Sequence, residues 1–317
     1  MPLGTAVSVR RVRAGVDVVV PFRGSARALA EVVMRLAGLA LIAEDTVTIV
    51  DNGRKPVAHP DTAESGIQIV RAPERQSSYH ARNRGAAAGQ GPWLVFIDAD
   101  VDPVSDLLDR YFAAEPAEGT GILVGAVRDV TAAGSGSESL ASRYARLRRL
   151  IDQSNTMEMI RPYAKTANCA VRRDAFEQVG GFVDDIRSGG DADLCFRLRE
   201  VGWELETRPD AIVGHRARGR LVGLLGQRAR HGSGAEWLEH RYPGFAGPRR
   251  QFRRLGADII RGAAHAVIAL CRLDGDKALT LVMDPVSNAA FELGRRVPNA
   301  TWRKQHLPAR SPARASS

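Results

Sequence analysis

The feature that most constrains the fold is a short apolar run that ends in acidic residues. Residues 93–97 read Trp-Leu-Val-Phe-Ile, which is typical of a strand buried on both faces of a parallel sheet. Asp98 and Asp100 follow directly, and side chains two positions apart in an extended backbone point the same way. Open α/β sheets bind ligands beyond the carboxyl ends of their strands. The run therefore predicts an α/β protein with two carboxylates at its ligand-binding edge.

Two interpretations of this acidic pair are open at this point. Hard carboxylate oxygens suit Mg²⁺ or Mn²⁺, so Asp98 and Asp100 can hold one divalent cation. The same residues can instead cap a helix that Pro103 begins, because Asp at a helix N-terminus accepts hydrogen bonds from backbone N–H groups. An Asp-x-Asp tripeptide is common by chance, so the pair alone does not decide between a metal site and a helix cap.

Alternating strand and helix patterns surround this run. Strands are indicated by apolar, β-branched runs, and helices by capped segments with helical periodicity. Before the acidic pair, the pattern predicts strands at 16–20, 46–50 and 67–70 and helices at 25–38 and 77–89. Such an order indicates a mostly parallel, doubly wound sheet. After the pair, we predict helices at 103–114, 139–151, 172–179, 188–201 and 221–231, strands at 121–127, 166–171, 203–207 and 211–213, and a flexible loop at 133–138.

The character of the chain changes after about residue 231. Residues 257–273 and 277–296 have helical composition, and Pro285 is expected to break the second stretch. The last residues are rich in Pro, Ala, Arg and Ser and are expected to be disordered. We predict an N-terminal tail at 1–15, an α/β domain at 16–231 with halves 16–100 and 101–231, a helical C-terminal segment at 232–300, and a tail at 301–317.

Charge and composition restrict the partners and the compartment. Lys+Arg 45 against Asp+Glu 36 gives a net charge of +9, which favours nucleotide phosphates, nucleic acid or an acidic membrane surface. Three scattered cysteines suit buried thiols in a reducing compartment. No signal-peptide pattern and no long uncharged apolar run is evident, which indicates a cytoplasmic protein. The basic, partly amphipathic C-terminal segment also permits peripheral contact with the inner face of the membrane.

Seven short segments, in their order and spacing, resemble the family 2 glycosyltransferases. They are Val-Val-Val-Pro-Phe-Arg at 18–23, Val-Asp-Asn-Gly at 50–53, Ala-Arg-Asn-Arg-Gly at 81–85, Phe-Ile-Asp-Ala-Asp at 96–100, Ala-Asn-Cys-Ala-Val-Arg-Arg at 167–173, Val-Gly-Gly-Phe at 179–182 and Gly-Gly-Asp-Ala-Asp-Leu-Cys-Phe-Arg-Leu at 189–198. The resemblance covers residues 16 to about 231. It implies the GT-A fold, an α/β fold with a Rossmann-like, mostly parallel sheet flanked by helices, here followed by a C-terminal helical appendage.

The activity that the resemblance implies is metal-dependent transfer of one sugar with inversion. The donor would be a sugar linked to UDP, GDP or dTDP, and the acceptor a small molecule, a glycan or a lipid-linked glycan. Asp98 and Asp100 match the family's metal-binding Asp-x-Asp. His215 matches a third ligand seen in some relatives and would favour Mn²⁺ over Mg²⁺. A surface histidine beside Arg216 and Arg218 is the alternative interpretation of His215.

The resemblance also implies a set of residues that bind the donor. They are Pro21, Arg23, Asp51, Asn52, Arg82, Asn83, Asp98, Ala99 and Arg228. Asp51 would accept a hydrogen bond from the nucleotide base, although Asp51-Asn52-Gly53 also suits a turn. Arg84 is an alternative to Arg82, or a solvated residue on a helix face.

Arg228 lies where processive polysaccharide synthases carry a Gln-x-x-Arg-Trp sequence. Here the segment reads Gln-Arg-Ala-Arg-His at 227–231, without the Trp, so we expect single transfer rather than polymer synthesis. Arg228, Arg230 or His231 would contact the diphosphate. A solvated basic helix face accounts for the same residues.

The catalytic base implied by the resemblance is Asp191. Inversion requires a group that takes the proton of the acceptor hydroxyl, and the family uses the Asp of a Glu-Asp pair at a helix start. Gly190 stands where the family has the Glu, which places one acceptor contact in doubt. Asp193 is either a helper of the base or a helix cap, and Asn168 would line the acceptor side.

Three other classes of protein are alternatives to a glycosyltransferase. A sugar-phosphate nucleotidyltransferase would need a Gly-rich loop after the first strand, and Pro21-Phe22-Arg23-Gly24 is not Gly-rich. A nucleic-acid-binding protein would explain the positive charge and would bind polynucleotides in a salt-dependent manner. A catalytically inactive scaffold would not need Asp98, Asp100 and Asp191 together. We expect no nucleic-acid partner, and the sequence permits a homodimer.

Overall fold

The computed structural model describes residues 13–62, 65–130, 138–216 and 219–301. The predicted tails at 1–15 and 301–317, the predicted loop at 133–138 and Arg218 lie wholly or mostly outside these ranges. The strands are β1 Val16–Phe22, β2 Thr46–Asp51, β3 Ile67–Arg71, β4 Trp93–Ile97, β5 Val101–Pro103, β6 Thr120–Val130, β7 Asn168–Arg172 and β8 Glu204–Arg216. The helices are α1 Ala26–Leu36, α2 Ser78–Ala86, α3 Leu107–Tyr111, α4 Leu140–Leu147, α5 Ser154–Met157, α6 Arg173–Gln178, α7 Gly190–Glu200, α8 Leu221–Arg241, α9 Phe252–Cys271 and α10 Gly275–Gly294.

The strands form one sheet in the order β3-β2-β1-β4-β7-β6-β8-β5. The first four strands in this order are all parallel, as the alternating pattern predicts. Beyond them the sheet is mixed, because β7 pairs antiparallel with both β4 and β6, and β5 pairs antiparallel with β8. The predicted α/β class is confirmed, and the carboxyl ends of β1, β2 and β4 meet at one edge.

The sheet separates two apolar cores. In β1, Val18 and Val20 pack on the side of α1 and α3, whereas Val19 packs on the side of α2, α6 and α7. All five residues of β4 are buried, as predicted for a strand covered on both faces. Because both faces are covered by helices, ligands can reach the sheet only at its edges.

Three local expectations are corrected. Pro103 belongs to strand β5, and the next helix begins only at Leu107, so Asp98 and Asp100 do not cap a helix there. The two short strands predicted at 203–207 and 211–213 are one strand, β8. The Arg-Pro-Asp at 208–210 looks like a turn in sequence, but β8 accommodates it at an irregularity in its pairing with β6, where proline is tolerated.

Pro285 does not break its helix, which is the third correction. It lies within the continuous helix α10, although proline removes one N–H bond to the carbonyl four residues before it. That carbonyl belongs to Leu281, and its oxygen would lie 2.3 Å from a Cβ on Gly262 of α9. Helix α9 thus packs closely against the turn of α10 in which the hydrogen bond is missing.

The C-terminal helices confirm the predicted appendage and are joined to the domain through α8. Helix α8 continues through residue 231 to Arg241, so the predicted boundary falls inside a helix. Leu238 of α8 and Tyr242 beyond it belong to the core on the α7 side, and α10 packs against α8 so closely that a Cβ on Gly232 would lie 1.9 Å from the Phe291 carbonyl oxygen. In the described part of the chain, no helix is both long and apolar enough to cross a membrane.

Candidate functional site

The acidic pair lies at the edge where the parallel strands end. Asp98 and Asp100 follow β4, with side chains 37% and 44% exposed. The guanidinium of Arg82, on α2, lies 2.5 Å from Asp98 Oδ1. Arg35, on α1, donates to the carbonyl oxygen of Ala99 at 2.5 Å, so the backbone of the loop is held from the opposite side.

Electrostatics at this edge are dominated by burial and by neighbouring carboxylates. Burial raises the pKa of Asp98, Arg82 opposes the increase, and the charges of Asp100 and Asp191 add to it. Asp98 and Asp191 therefore lie near enough to interact although they belong to different elements. We call the space between Asp98, Asp100 and Asp191 the candidate cleft.

His215 lies beside Asp100. Strand β8 pairs with β5 so that His215 is opposite Val101, and its Nε2 lies 3.9 Å from Asp100 Oδ2. Its Nδ1 lies 3.2 Å from Asp129 Oδ1. A carboxylate on one ring nitrogen orients the other nitrogen, as is usual for histidines that bind metals.

The protonation of His215 reflects these neighbours. Burial alone would lower the pKa of His215, but the hydrogen bond to Asp129 and the charges of Asp100 and Asp129 outweigh it and raise that pKa. Sequence reasoning missed Asp129, because its position opposite His215 follows from the long-range pairing of β6 with β8.

The donor set fits a hard divalent cation. Two carboxylates and one imidazole, oriented by a further carboxylate, are ligands that suit Mn²⁺ and Mg²⁺. Among the residues that the structure describes, no three ligating side chains are grouped tightly enough to hold a cation by themselves. A cation at Asp98 and Asp100 would thus need oxygen ligands from a bound molecule.

Asp191 lies in the first turn of α7 and faces the same cleft. Burial raises the pKa of Asp191, whereas the N–H of Ala192, the charge of Arg82 and the charge of Lys165 act in the opposite direction. Its side chain accepts one described hydrogen bond, from the N–H of Ala192 at 3.1 Å. The carboxylate thus keeps acceptor capacity for another partner.

Tyr79 occupies the space beside Gly190 and was missed by sequence reasoning. A Cβ on Gly190 would lie 2.9 Å from three carbons of the Tyr79 ring, closer than real Cβ contacts allow. Burial raises the pKa of the Tyr79 phenol, and the charge of Asp191 adds to the increase. The substitution of the family's Glu by Gly190 is thereby explained: the tyrosine ring lies against the backbone where a side chain would begin.

Lys165 is a second residue that sequence reasoning missed. Its Nζ donates to the carbonyl oxygens of Asp152 at 2.5 Å and Leu150 at 3.3 Å. Burial lowers the pKa of Lys165 to about 8, and the charge of Asp191 partly opposes this change. The scarcity of lysine is the sequence signal that could have drawn attention to Lys165. The 45 Lys and Arg residues include only four lysines, Lys55, Lys165, Lys277 and Lys304.

The predicted nucleotide contacts at the ends of β1 and β2 lie side by side. The parallel register places Pro21 opposite Val50 and Phe22 opposite Asp51, and Arg23 is exposed beyond them. Asp51 is 1% exposed, accepts from the Gly53 N–H at 2.9 Å and pairs with Arg71. Asp51 is the last residue of β2 and its side chain orders the loop that follows, but residues 52 and 53 form no regular turn.

Several predicted ligand contacts instead hold the protein together. The amide of Asn52 donates to the Ser77 carbonyl oxygen at 2.7 Å. Asn83 both donates to the carbonyl and accepts from the N–H of Phe182, each at 2.9 Å. Since these amides are used within the protein, Asn52 and Asn83 position loops rather than offer their side chains to a nucleotide.

Asn168 and Asp193 are corrected as acceptor contacts for the same reason. Asn168 is fully buried and bonds to the Tyr111 hydroxyl at 2.7 Å and to the carbonyl oxygens of Ala126 and Ala211. Asp193 is also fully buried. Its partners are Arg197, Arg241 and Tyr242, all at 2.9 Å. Asp193 joins α7 to α8 and neither caps the helix nor reaches the cleft.

Arg228 is directed towards the C-terminal helices. Its Nε donates to the Ser287 hydroxyl at 3.0 Å, and its guanidinium lies 5.1 Å from the ring centre of Phe291. Both partners belong to α10, so this arginine stabilises the contact between α8 and α10 instead of reaching the diphosphate.

The fold and the cleft define a class of protein. An α/β sheet with an Asp-x-Asp pair at the carboxyl edge, and a separate carboxylate at the start of a later helix, is the arrangement of glycosyltransferases with the GT-A fold. In agreement, residues 17–180 match the model of glycosyl transferase family 2.

Curated relatives agree with this class. The chain is 32% identical over 244 residues to the pre-mycofactocin glycosyltransferase of Mycobacterium tuberculosis, covering 74% of this chain and 49% of the relative. It is 35% identical over 199 residues to glycosyltransferase AglE of Haloferax volcanii, covering 59% of this chain and 62% of the relative. The chain therefore spans about half the length of the mycobacterial relatives.

A solved structure supports the fold. The mannosyltransferase PcManGT from Pyrobaculum calidifontis, in complex with GDP-Man and Mn²⁺, has a TM-score of 0.57 at 18% identity and covers 90% of this chain and 88% of that chain. This likeness shows that the fold is GT-A. The chain belongs to glycosyl transferase family 2.

Proposed function

We propose that the protein transfers one sugar from a nucleotide-diphosphate sugar to an acceptor hydroxyl, with a divalent cation and with inversion. The observation that carries the proposal is the arrangement of Asp98, Asp100 and Asp191 around one cleft. Two carboxylates follow the same strand, and Arg82, which pairs with Asp98, lies over the Tyr79 ring. That ring packs on Gly190, the residue before Asp191. In this arrangement Asp98 and Asp100 would form the donor side of the cleft, and the base Asp191 would form the acceptor side.

On the donor side, Asp98 and Asp100 would bind Mn²⁺ or Mg²⁺, and His215 would be the third protein ligand. When bound, the cation stabilises the negative charge that develops on the leaving diphosphate. Asp129 holds the His215 ring so that Nε2 is turned towards Asp100. The structure of PcManGT, which shares this fold, is a complex with GDP-Man and Mn²⁺, which supports a site for a nucleotide sugar and a divalent cation.

The nucleotide itself would lie over the ends of β1 and β2. Pro21 and Arg23 border the space, and Asp51 offers its remaining acceptor capacity to a base N–H. Ala99 places its backbone between the two metal-binding carboxylates. Arg82 orients Asp98 through their ion pair, whereas Arg228 contacts Ser287 and Phe291 of α10.

On the acceptor side, Asp191 would take the proton of the attacking hydroxyl. As the hydroxyl oxygen bonds to the anomeric carbon, the bond from that carbon to the diphosphate oxygen breaks, and the proton passes to a carboxylate oxygen of Asp191. Tyr79 fixes the backbone of Gly190 and Asp191, so that the carboxylate is held in place. The acceptor would be a small molecule, a glycan or a lipid-linked glycan.

A ligand screen tests this proposal. UDP, GDP and dTDP are added to the protein with Mn²⁺, with Mg²⁺ or with a chelator, and the melting temperature is measured. A ligand that binds only the native state raises its stability by an amount that grows with the logarithm of ligand concentration over Kd. We therefore expect a higher melting temperature for at least one diphosphate only when a cation is present. The monophosphates serve as controls.

The same screen can contradict the proposal. Equal stabilisation by nucleotides with the cation and with the chelator would exclude a metal-bridged donor site. Stabilisation by polynucleotides in place of the mononucleotides, lost at high salt, would favour nucleic-acid binding.

A further inference from the structure

Helix α9 is attached to the protein by a narrow stripe of residues. Leu255, Gly262, Ala266 and Ala269 are its buried positions, and their spacing of three, four and seven residues marks one face of a helix. The remaining positions are exposed or nearly so. About half of the circumference of α9 has no partner within the described residues.

The unpartnered side of α9 is apolar except for Arg253 near its N-terminal end. The central residues of this side are Ile260, Val267 and Ile268, which are 73%, 60% and 51% exposed. Ala257, Ala264 and Cys271 lie on the same face of the helix, and exposed apolar residues continue around it and into the following turn at Phe252, Ile259, Leu270 and Leu273. We call this surface the α9 outer face. Exposed apolar residues that are scattered singly are ordinary, but a contiguous patch marks an interaction site.

A line of arginines borders the α9 outer face. Arg254, Arg261 and Arg272 recur at intervals of seven and eleven residues, which places them along one edge of the apolar face. The side chain of Arg261 is 66% exposed. Asp258 is the only acidic residue of α9, and it is paired with Arg250 at 2.7 Å and with Arg261 at 3.5 Å.

We propose that the α9 outer face binds the headgroup region of an anionic lipid bilayer, with the helix axis in the plane of the surface. An apolar face flanked by arginines is the pattern of helices that lie at a membrane interface. Each arginine near an anionic surface adds to the attraction. The opposite face of α9 packs on α10, so the protein would rest on the lipid rather than insert into it.

Charge favours lipid over a second copy of the chain as the occupant. In an antiparallel symmetric pair, the arginine borders of the two copies would lie side by side, and in any pair each copy carries a net charge of +9. Like charges at an interface are unfavourable, whereas phosphatidylglycerol headgroups complement them. The proposal is independent of the transferase reaction, because it concerns a surface outside the candidate cleft.

Vesicle flotation tests the apolar part of the proposal. The full chain is floated with phosphatidylcholine vesicles with and without phosphatidylglycerol. We expect binding to the anionic vesicles, and at least a tenfold weaker partition for Ile260→Asp or Val267→Asp. Val222→Asp is the matched control, because Val222 is 82% exposed on α8 and lies outside the α9 outer face.

Arginine variants test the charged border. Arg254→Gln, Arg261→Gln and Arg272→Gln should each weaken partition to anionic vesicles roughly fivefold. Arg27→Gln is the control, because the Arg27 side chain is 91% exposed on α1. An environment-sensitive fluorophore on Cys271, the exposed cysteine, reports contact directly, since Cys169 and Cys195 are buried.

Three results would overturn the proposal. In the first, the wild-type chain does not float with anionic vesicles. In the second, the Ile260→Asp variant floats as well as the wild type. In the third, sedimentation equilibrium without lipid shows a dimer of the wild-type chain that Ile260→Asp dissociates. The last result would assign the α9 outer face to a second copy. Thermal melts of each variant are the control for folding. Because every substituted side chain is exposed, we expect the melting temperatures to stay close to that of the wild type.

Discussion

The two sides of the cleft place their polar residues by different means. On the donor side, Asp51 and Asp98 follow directly on the strands that carry them, and the parallel register brings the strand ends together. On the acceptor side, Gly190, the residue before Asp191, packs against the ring of Tyr79, which lies more than a hundred residues earlier. The carboxylates of the donor side are thus placed by short segments of sequence, whereas His215 and the acceptor side depend on contacts between distant segments.

The contrast is clearest at two aspartates on one helix turn. Asp191 faces the cleft, whereas Asp193 is fully buried between α7 and α8. In sequence they form one Asp-Ala-Asp segment and look equivalent. The difference arises because α8 and Tyr242 cover the side of α7 on which Asp193 lies.

The largest effect is expected for Asp191→Asn. The amide cannot accept the acceptor proton, so kcat should fall by about 10³-fold. Thermal stability should change little, since Asp191 has one described hydrogen-bond partner. Steady-state kinetics with a saturating donor check this expectation, and near-normal turnover would remove Asp191 as the base.

The neighbouring substitution Asp193→Asn should show the opposite pattern. It leaves Arg197 without its buried ion pair, and we expect a loss of roughly 3 kcal/mol in the free energy of unfolding. Arg241 is 45% exposed and can be solvated. Denaturant unfolding measures the loss, while kcat per folded molecule should stay within about threefold of wild type. A large loss of kcat without a loss of stability would make Asp193 part of the acceptor site.

Substitution at Gly190 sharpens the comparison further. Gly190→Ala places a Cβ against the Tyr79 ring and should cost about 1–3 kcal/mol through overpacking. It should also reduce kcat, because the backbone of Asp191 shifts. The double variant Gly190→Ala/Tyr79→Leu tests the cause: partial recovery of stability supports the contact, and additive losses would show that the two residues act independently.

The smallest expected effect concerns Lys165 and pH. Its pKa of about 8 in the folded protein lies below the ordinary value of 10.5. Between these pH values the unfolded chain binds more protons, so this lysine makes the free energy of unfolding rise with pH. In Lys165→Met the slope from pH 8 to 10 should be lower by up to about 1 kcal/mol per pH unit. Equal slopes in denaturant titrations would show that burial does not perturb this lysine.

The sequence allowed the fold, and the position of the acidic pair after a buried strand, to be predicted because their signals are local. The apolar run 93–97 and its two aspartates give both a buried strand and the site that follows it. Asn168 and Arg228 were misassigned for a different reason. Their side chains are satisfied by Tyr111 and Ser287, residues 57 and 59 positions away, and no pattern within one segment reveals such partners.

Local sequence signals also did not predict that helices α8 and α10 are continuous. Proline in a helical stretch usually ends it, yet Pro285 lies inside α10 where Gly262 of α9 approaches closely. The predicted boundary at residue 231 follows a change in composition. That change does not coincide with the end of a helix, because α8 continues to Arg241.

Calorimetric titration of UDP and GDP, with Mn²⁺ present, tests the division of the cleft most directly. The wild type, Asp100→Asn and Asp191→Asn are compared under one set of conditions. We predict that Asp100→Asn weakens nucleotide binding by at least tenfold, whereas Asp191→Asn binds as tightly as wild type but does not transfer sugar. Equal binding by wild type and Asp100→Asn, or lost binding in Asp191→Asn, would contradict the assignment of the two sides.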